Sequence, residues 1–393
     1  MLRYFTAGES HGEGLVAFLS GVPAGLHIDQ AFLNRELWRR QQGFGRGGRM
    51  KIESDRAHII SGVRHGKTIG SPISILLENK DWKNWEESLP VESGDPEKHK
   101  RVASPRPGHA DLAGALKYNF PEARYILERA SARESAARVA IGAIAKFLLR
   151  ELGVEVLSHV IAVGKATLAN AEVPWGRLQE LHGRQEVLLN CADPDSEQRM
   201  KAEVDHALRT GDSIGGVFEV VAHNVPPGLG TFAQWDERLD GMLAQAVMSL
   251  QAVKAVEIGT GVESALSFGS AVHDEIGYNK SGETNFTGFT RASNHAGGIE
   301  GGISNGQDIL VRGYLKPIST LRRPLGSVDF ATREPVKAAY ERSDVCVVPA
   351  AGVAAEAMVA LTLARCALEK FGGDSIIEAR RNFAGYQQQL REF

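Results

Sequence analysis

Cysteine is scarce: three residues in 393, at positions 191, 346 and 366, far apart and odd in number. That argues against a disulfide framework or a paired-cysteine zinc site, so no metal is expected. It fits reduced thiols in a cytoplasmic protein. No apolar run approaches the roughly 20 residues of a membrane helix. The opening residues MLRYFTAGESHGEG also lack the basic start and apolar stretch of a secretory signal. An excess of one charge sign is missing too. With 45 basic against 48 acidic residues the formal charge is −3, which speaks against a general nucleic-acid binder. What remains is an expected cytoplasmic chain with no membrane and no nucleic-acid partner. Its 43% hydrophobic content is enough for a sizeable core.

Glycine is abundant, 43 residues, and clustered rather than spread as in a linker. The clusters are GESHGEG, GFGRGG, DSIGG, GTGVESALSFGS and HAGGIEGGISNG. Such clusters mean backbone held close to a ligand or to other backbone. Between residues 35 and 51 five arginines and one lysine face a single acid, Glu36. The interleaved glycines favour a pocket for a compact anion over a solvated face, because the guanidinium fork binds phosphate or carboxylate bidentately. The stretch RPGHAD, 106–111, sets His109 at a Pro-Gly turn beside Arg106. A turn-held histidine of near-neutral pKa can pass protons, although a plain surface turn reads equally well from these six residues.

Strands are expected over 1–7 and 15–19, with His11 at the tip between them. The G-x-S-x-G pattern at Gly8, Ser10 and Gly12 is not a hydrolase elbow, since a strand-like run rather than a helix follows it. Asp29 caps a helix carrying Phe32, Leu33, Leu37 and Trp38. Strands then alternate with turns over 51–77, and 79–104 reads as a long loop or lid. A capping box, Ser131 with Glu134, opens a helix to Leu149. Arg129, Arg133 and Ser131 at that helix start form a candidate anion site. Further helices are expected to end at Gly211 and to cover 232–254, 332–341, 350–370 and the last twenty residues. Strands are expected over 154–163, 213–223 and 309–317, and VCVVP as a buried strand. Ser213, Gly215, Val225, Pro226, Gly228 and Leu229 follow Ser10, Gly12, Val22, Pro23, Gly25 and Leu26 by 203 positions. That repeat implies one domain over 1–393 with two related halves, roughly 1–205 and 206–393. The expected class is α+β: antiparallel sheets sandwiching a helical core, with an internal pseudo-two-fold duplication.

Taken in order, GESHG, RPGHAD, RASARESAARVA (129–140), DSIGG, RASNHAGGIEGGISNG (291–306), KPIST (316–320) and RSDVCVVPAAGVAAEAM (342–358) resemble the chorismate synthase family. The likeness runs from Met1 to about residue 370. It implies a lyase that removes phosphate and a C-6 proton from 5-enolpyruvylshikimate-3-phosphate in an anti 1,4 sense, with reduced FMN required. The arginines at 40, 46, 49, 106 and 133 suit that polyanionic substrate. By the resemblance, His11 protonates the departing phosphate, His109 supplies a proton at the flavin, and Asp344 assists loss of the C-6 proton. Asp344 alone also reads as a helix-end cap. Flavin contacts carried over from the family are Arg129, Ala130, Ser131, Gln251, Ala252, Ala296, Lys316, Pro317, Ile318, Ser319, Thr320 and Arg342.

Many family members have histidine where this chain has Ser343, and asparagine in place of Ser293 or His295; these affect local contacts. The family forms homotetramers. A binding protein with the same cradle is the alternative, but it would need neither histidine nor Asp344. A bifunctional form reducing its own flavin with NADPH is a second. With no dinucleotide fingerprint visible and no fused reductase expected, an external flavin reductase is the expected partner.

Overall fold

The computed structural model describes residues 1–47, 54–170, 172–279, 286–341 and 344–393. The fold is mixed α+β, with antiparallel sheets and long helices. Strands β1 (Arg3–Ala7), β2 (Gly14–Ser20), β3 (His58–Ser61) and β4 (Ile73–Glu78) form a first sheet in the order β1-β2-β4-β3. Strands β5 (Glu155–Val163), β6 (Gly216–His223), β7 (Val253–Ile258) and β8 (Ile309–Leu315) form a second, β7-β8-β6-β5, extended beyond β5 by Ala166–Thr167. Period-two alternation sets the faces. In β2, Leu15, Ala17 and Leu19 are buried while Val16 and Phe18 stay exposed; in β4, Ile73, Ile75 and Leu77 point inward.

The longer helices among the described residues are α1 (Gln30–Gln41), α2 (Asp111–Tyr118), α3 (Arg124–Ala130), α4 (Ser135–Arg150), α5 (Trp175–Gly183), α6 (Pro194–Thr210), α7 (Leu239–Met248), α8 (Val348–Phe371) and α9 (Ile376–Glu392). Helix α4 lies on β2 and β4 and packs along α8, which in turn lies on β5 and β6. Helix α1 joins α4, and α7 joins α8. The α4–α8 contact is close because both sides are small: a Cβ on Gly142 would stand 2.2 Å from the Cβ of Ala357. Helix α8 is long and apolar enough to cross a membrane by composition, but most of it is buried in this core.

The same connection recurs beside each sheet. Thr68 Oγ1 donates to the Pro23 carbonyl (2.6 Å) and accepts from Leu26 N (2.9 Å). Ser304 Oγ donates to the Pro226 carbonyl (2.6 Å) and accepts from Leu229 N (2.8 Å). The bridges His27–Lys67 and Gly230–Ile303 flank these two sites.

Several expected elements differ. Residues 332–341 form no helix. Gly326–Val328 pairs with Pro335–Lys337 as a hairpin, because Asp329 Oδ1 accepts from Ala331 N and Thr332 N and Arg333 takes φ +65°, fixing a turn. VCVVP is no strand: Val348 already opens α8, with Pro349 in its first turn, where the missing N–H costs nothing. The helix expected over 232–254 is only α7, since Ala252 at φ +69° turns the chain into β7. The helix expected from Ser131 begins at Ser135. Ser131 is extended and caps a short 3-10 turn, Ala132–Glu134, so the capping box does not form. Glu134 instead accepts from Thr6, Arg138 and Gln251.

Candidate active site

His11 sits at the tip of the β1–β2 hairpin, and the tip is held from two sides. Asn79 Nδ2 donates to the carbonyls of Glu9 (3.1 Å) and Gly12 (2.8 Å), and Ser10 N donates to the Glu128 carbonyl (2.9 Å). The Glu128 side chain accepts from His11 N at 2.7 Å through Oε2 and meets His11 Nδ1 at 2.9 Å through Oε1. Trp85, from the expected lid, stacks on the imidazole at 4.0 Å between ring centres and 25° between planes. Burial alone would raise the Glu128 carboxyl, but His11 and Arg124 hold it below the usual range. Ser10 Oγ donates to Ser131 Oγ at 3.1 Å.

Beside the tip lies a buried cationic cluster. Arg133 donates from Nε to Asn79 Oδ1 (2.9 Å), so one asparagine joins hairpin and cluster. Arg133 and Arg40 share Asp55, at 2.7 and 2.9 Å, and these two arginines keep Asp55 ionised against its burial. Burial, with Arg133 and Arg46 nearby, pulls Arg40 down to about 10 despite Asp55. Arg40 Nε is buried with no hydrogen-bond partner among the described residues. Arg46 pairs with Asp344 (3.2 Å), whose Oδ1 accepts from Gly47 N (2.5 Å). Among the described residues, Arg40, Arg46 and Arg133 thus gather around Asp55 and Asp344, and guanidiniums are the side chains that bind a compact anion bidentately. Arg49, Arg342 and Ser343 lie outside the described residues.

A third group forms around the 106–111 turn, which Gly108 makes at φ +78°. Arg106 donates to Asp111 (2.8 Å) and to Thr320 Oγ1 (2.9 Å), and His109 Nδ1 meets Asp111 Oδ1 at 2.5 Å. Those donors hold the buried Asp111 far below the ordinary carboxylate range, although its burial opposes them. Ser319 Oγ donates to the Gly108 carbonyl (3.1 Å), and Lys316 Nζ reaches Ser319 Oγ (3.2 Å). Lys316 N donates to the Ala252 carbonyl, and Ile318 O accepts from Ser213 Oγ. Burial, then Lys254, lowers Lys316. This one region therefore gathers Arg106, His109, Ala252, Lys316, Pro317, Ile318, Ser319 and Thr320. Arg129 at the end of α3 donates to the carbonyls of Gly8 and Thr6, beside Ala130 and Ser131. Gln251 donates to Glu134 (3.1 Å).

Ala296 is different: its N–H is taken by Asp274, and no described hydrogen bond joins it to 316–320. Ser293 and His295 N also donate to Asp274, a local arrangement. The glycines around Ala296 press on backbone, since a Cβ on Gly259 would lie 2.1 Å from the His295 carbonyl and one on Gly298 2.6 Å from that of Asp308.

The carboxylates Asp55, Asp111 and Glu128, with Trp85 and Asn79, escaped the sequence reading as partners. Arginines and histidines announce themselves by type, whereas their counter-ions are ordinary acids until the fold buries them. A cleft of about 1300 Å³ runs between the hairpin tip and the lid. Six acids (Glu9, Glu13, Glu78, Glu92, Asp95, Glu128) and three bases (Lys80, Lys83, Arg129) line it, a balance that disfavours a polyanion there.

Residues 2–368 match the family model described as chorismate synthase. Chorismate synthase of Koribacter versatilis is 78% identical, that of Geobacter sulfurreducens 53% and that of Aquifex aeolicus 50%; each alignment covers all of this chain and 99–100% of the relative. A solved structure titled "Crystal Structure of Chorismate Synthase" is 40% identical with a TM-score of 0.78, covering all of this chain and 99% of that one.

Proposed function

The chain belongs to the chorismate synthase family, and from that premise we propose how its residues divide the work. It is a carbon–oxygen lyase acting on a phosphate ester, at the last step of the shikimate pathway: 5-enolpyruvylshikimate-3-phosphate loses phosphate and a C-6 proton to give chorismate. The observation that carries the residue assignment is Asn79, which bonds the His11 hairpin on one side and Arg133 of the cationic cluster on the other.

In this reading Arg40, Arg46 and Arg133, with Arg49, hold the phosphate and carboxylates, and Arg106 adds charge from the 106–111 turn. Leaving-group departure needs protonation and positive charge, and His11 gives its proton to the departing phosphate oxygen. Asp344, kept in place by Arg46 and Gly47, assists removal of the C-6 proton. His109, oriented by its Nδ1 bond to Asp111, holds a proton at the cofactor side.

The donors around Gly108 fit FMN. Lys316, Ser319 and Thr320 supply a cation and two hydroxyls near one open glycine, while Arg129, Ala130, Ser131, Gln251 and Ala252 provide polar backbone and side chains. Arg342 and Ala296 complete the proposed contacts. Held by these residues in its reduced form, FMN would supply electron density for C–O cleavage with no net redox change. An external flavin reductase, rather than NADPH used by this chain, is the proposed source of reducing equivalents.

We take the chain as a single domain whose two sheets sandwich the paired helices as duplicated β–β–α–β–β–α units. The matching Thr68 and Ser304 connections support this. Because β5 lies in the second sheet, the boundary is drawn after α4, near residue 150, rather than near 205. A homotetramer is proposed on the exposed Phe5, Val16 and Phe18 of the first sheet and on the exposed Leu266 and Phe268. The three free, buried cysteines are compatible with a cytoplasmic location.

The test is anaerobic turnover of 5-enolpyruvylshikimate-3-phosphate, first with dithionite-reduced FMN and then with oxidised FMN plus NADPH. Chorismate and phosphate only with chemically reduced flavin are expected. Activity with NADPH would assign the bifunctional form, and no product with flavin bound would leave a binding protein.

A further inference from the structure

We propose that Glu128 is the positioning residue for His11, fixing which ring nitrogen delivers the proton. This rests on the reading of His11 as the proton donor. Both carboxylate oxygens of Glu128 are spent on the same residue, one on His11 N at 2.7 Å and one on Nδ1 at 2.9 Å. The side chain is 1% exposed, so no solvent competes for those oxygens, and Arg124 Nη1 at 3.3 Å supports it from one turn earlier on α3. The Glu128 carbonyl also accepts from Ser10 N, so one residue sets the backbone, the ring plane and the tautomer of the hairpin tip.

A carboxylate at Nδ1 requires N–H there, because an ionised carboxylate only accepts. The transferable proton is then on Nε2. When the C–O bond breaks, its electron pair leaves with the phosphate oxygen, which takes the Nε2 proton. The ring becomes neutral while keeping Nδ1–H on Glu128. Rotation of the ring by half a turn would reverse the nitrogens, and Trp85, stacked at 4.0 Å, obstructs that rotation. The logic is that of a base oriented by a third group, as in hydrolase triads.

The experiment compares the full-length protein with Glu128→Gln and His11→Asn, using ¹⁵N-histidine spectra and steady-state kinetics with reduced FMN. The His11 resonances are assigned by their loss in His11→Asn. In the unaltered protein the neutral ring is expected with its proton on Nδ1. Glu128→Gln is expected to mix the tautomers and to lower kcat on the order of 10² or more, while KM changes by less than about threefold. A neutral His11 protonated only on Nε2 in the unaltered protein would overturn the proposal, even if Glu128→Gln failed to fold. So would Glu128→Gln with unchanged tautomer and kcat. Full activity in His11→Asn would instead remove the proton-donor reading, while the Nδ1 bond to Glu128 would still be visible in the unaltered protein.

Discussion

Asp55 carries more of the site's stability than its place in a turn suggests. It lies between Arg40 and Arg133, both almost fully buried. Asp55→Asn leaves two desolvated cations short of a counter-ion, and a loss of about 3–5 kcal/mol is expected in urea unfolding. Asp55, Asp111 and Glu128 all have folded-state pKa values below their ordinary 3.8 or 4.5. Their contribution is therefore complete above those ordinary values and is lost as pH falls through the lower folded ones. Acid unfolding is expected to set in below about pH 4, with a shallower pH dependence in Asp55→Asn, as equilibrium denaturation at stepped pH will show. At this scale the sequence displayed the arginines and the two site histidines, because their chemistry follows from side-chain type. It did not display Asp55 or Glu128, whose meaning comes from burial against partners 78 and 117 positions away.

Among the elements, α4 and α8 were legible as the helices expected over 131–149 and 350–370, apart from their starts, whereas the 326–337 hairpin was not. Its turn depends on Asp329 and on a left-handed Arg333, a conformation no periodicity signals. The α4–α8 crossing has no room to spare at Gly142, so Gly142→Val is expected to cost a few kcal/mol. The check is a fall in thermal midpoint without loss of secondary structure at low temperature. The segment 79–104 was legible as a long connection, but not its attachment through Trp85 to His11, Lys100 and Arg124. Trp85→Ala should release it. Limited trypsin digestion is expected to cut at Lys83 or Lys98 several times faster, with the remaining fragments unchanged; equal rates would mean that Trp85 does not tether the loop.

For the molecule as a whole, the repeat at a spacing of 203 already paired the two Pro-Gly turns, and each occurs beside its own sheet. The hydroxyls that close them, Thr68 and Ser304, lie outside the repeat and were not legible. If the sites are equivalent, Thr68→Val and Ser304→Val should each cost about 1–3 kcal/mol. Their costs should add within about 0.5 kcal/mol in the double variant, as expected for distant sites. Markedly unequal costs would count against the duplication.

A cluster between the helices has a consequence for how the gene can be divided. Glu36 and Arg39 on α1, Lys146 on α4 and Glu356 on α8 meet in a buried group, with Arg39 bonding Glu36 at 3.0 Å and Glu356 at 2.7 Å. Cut after residue 150, the first fragment keeps two of these cations and one anion, and the second keeps a lone buried carboxylate. Each fragment would carry an uncompensated interior charge along with an uncovered helix face. Produced separately they are expected to precipitate, whereas co-expression would let the missing charge arrive with the missing surface. The molecule can be severed there but not shared out.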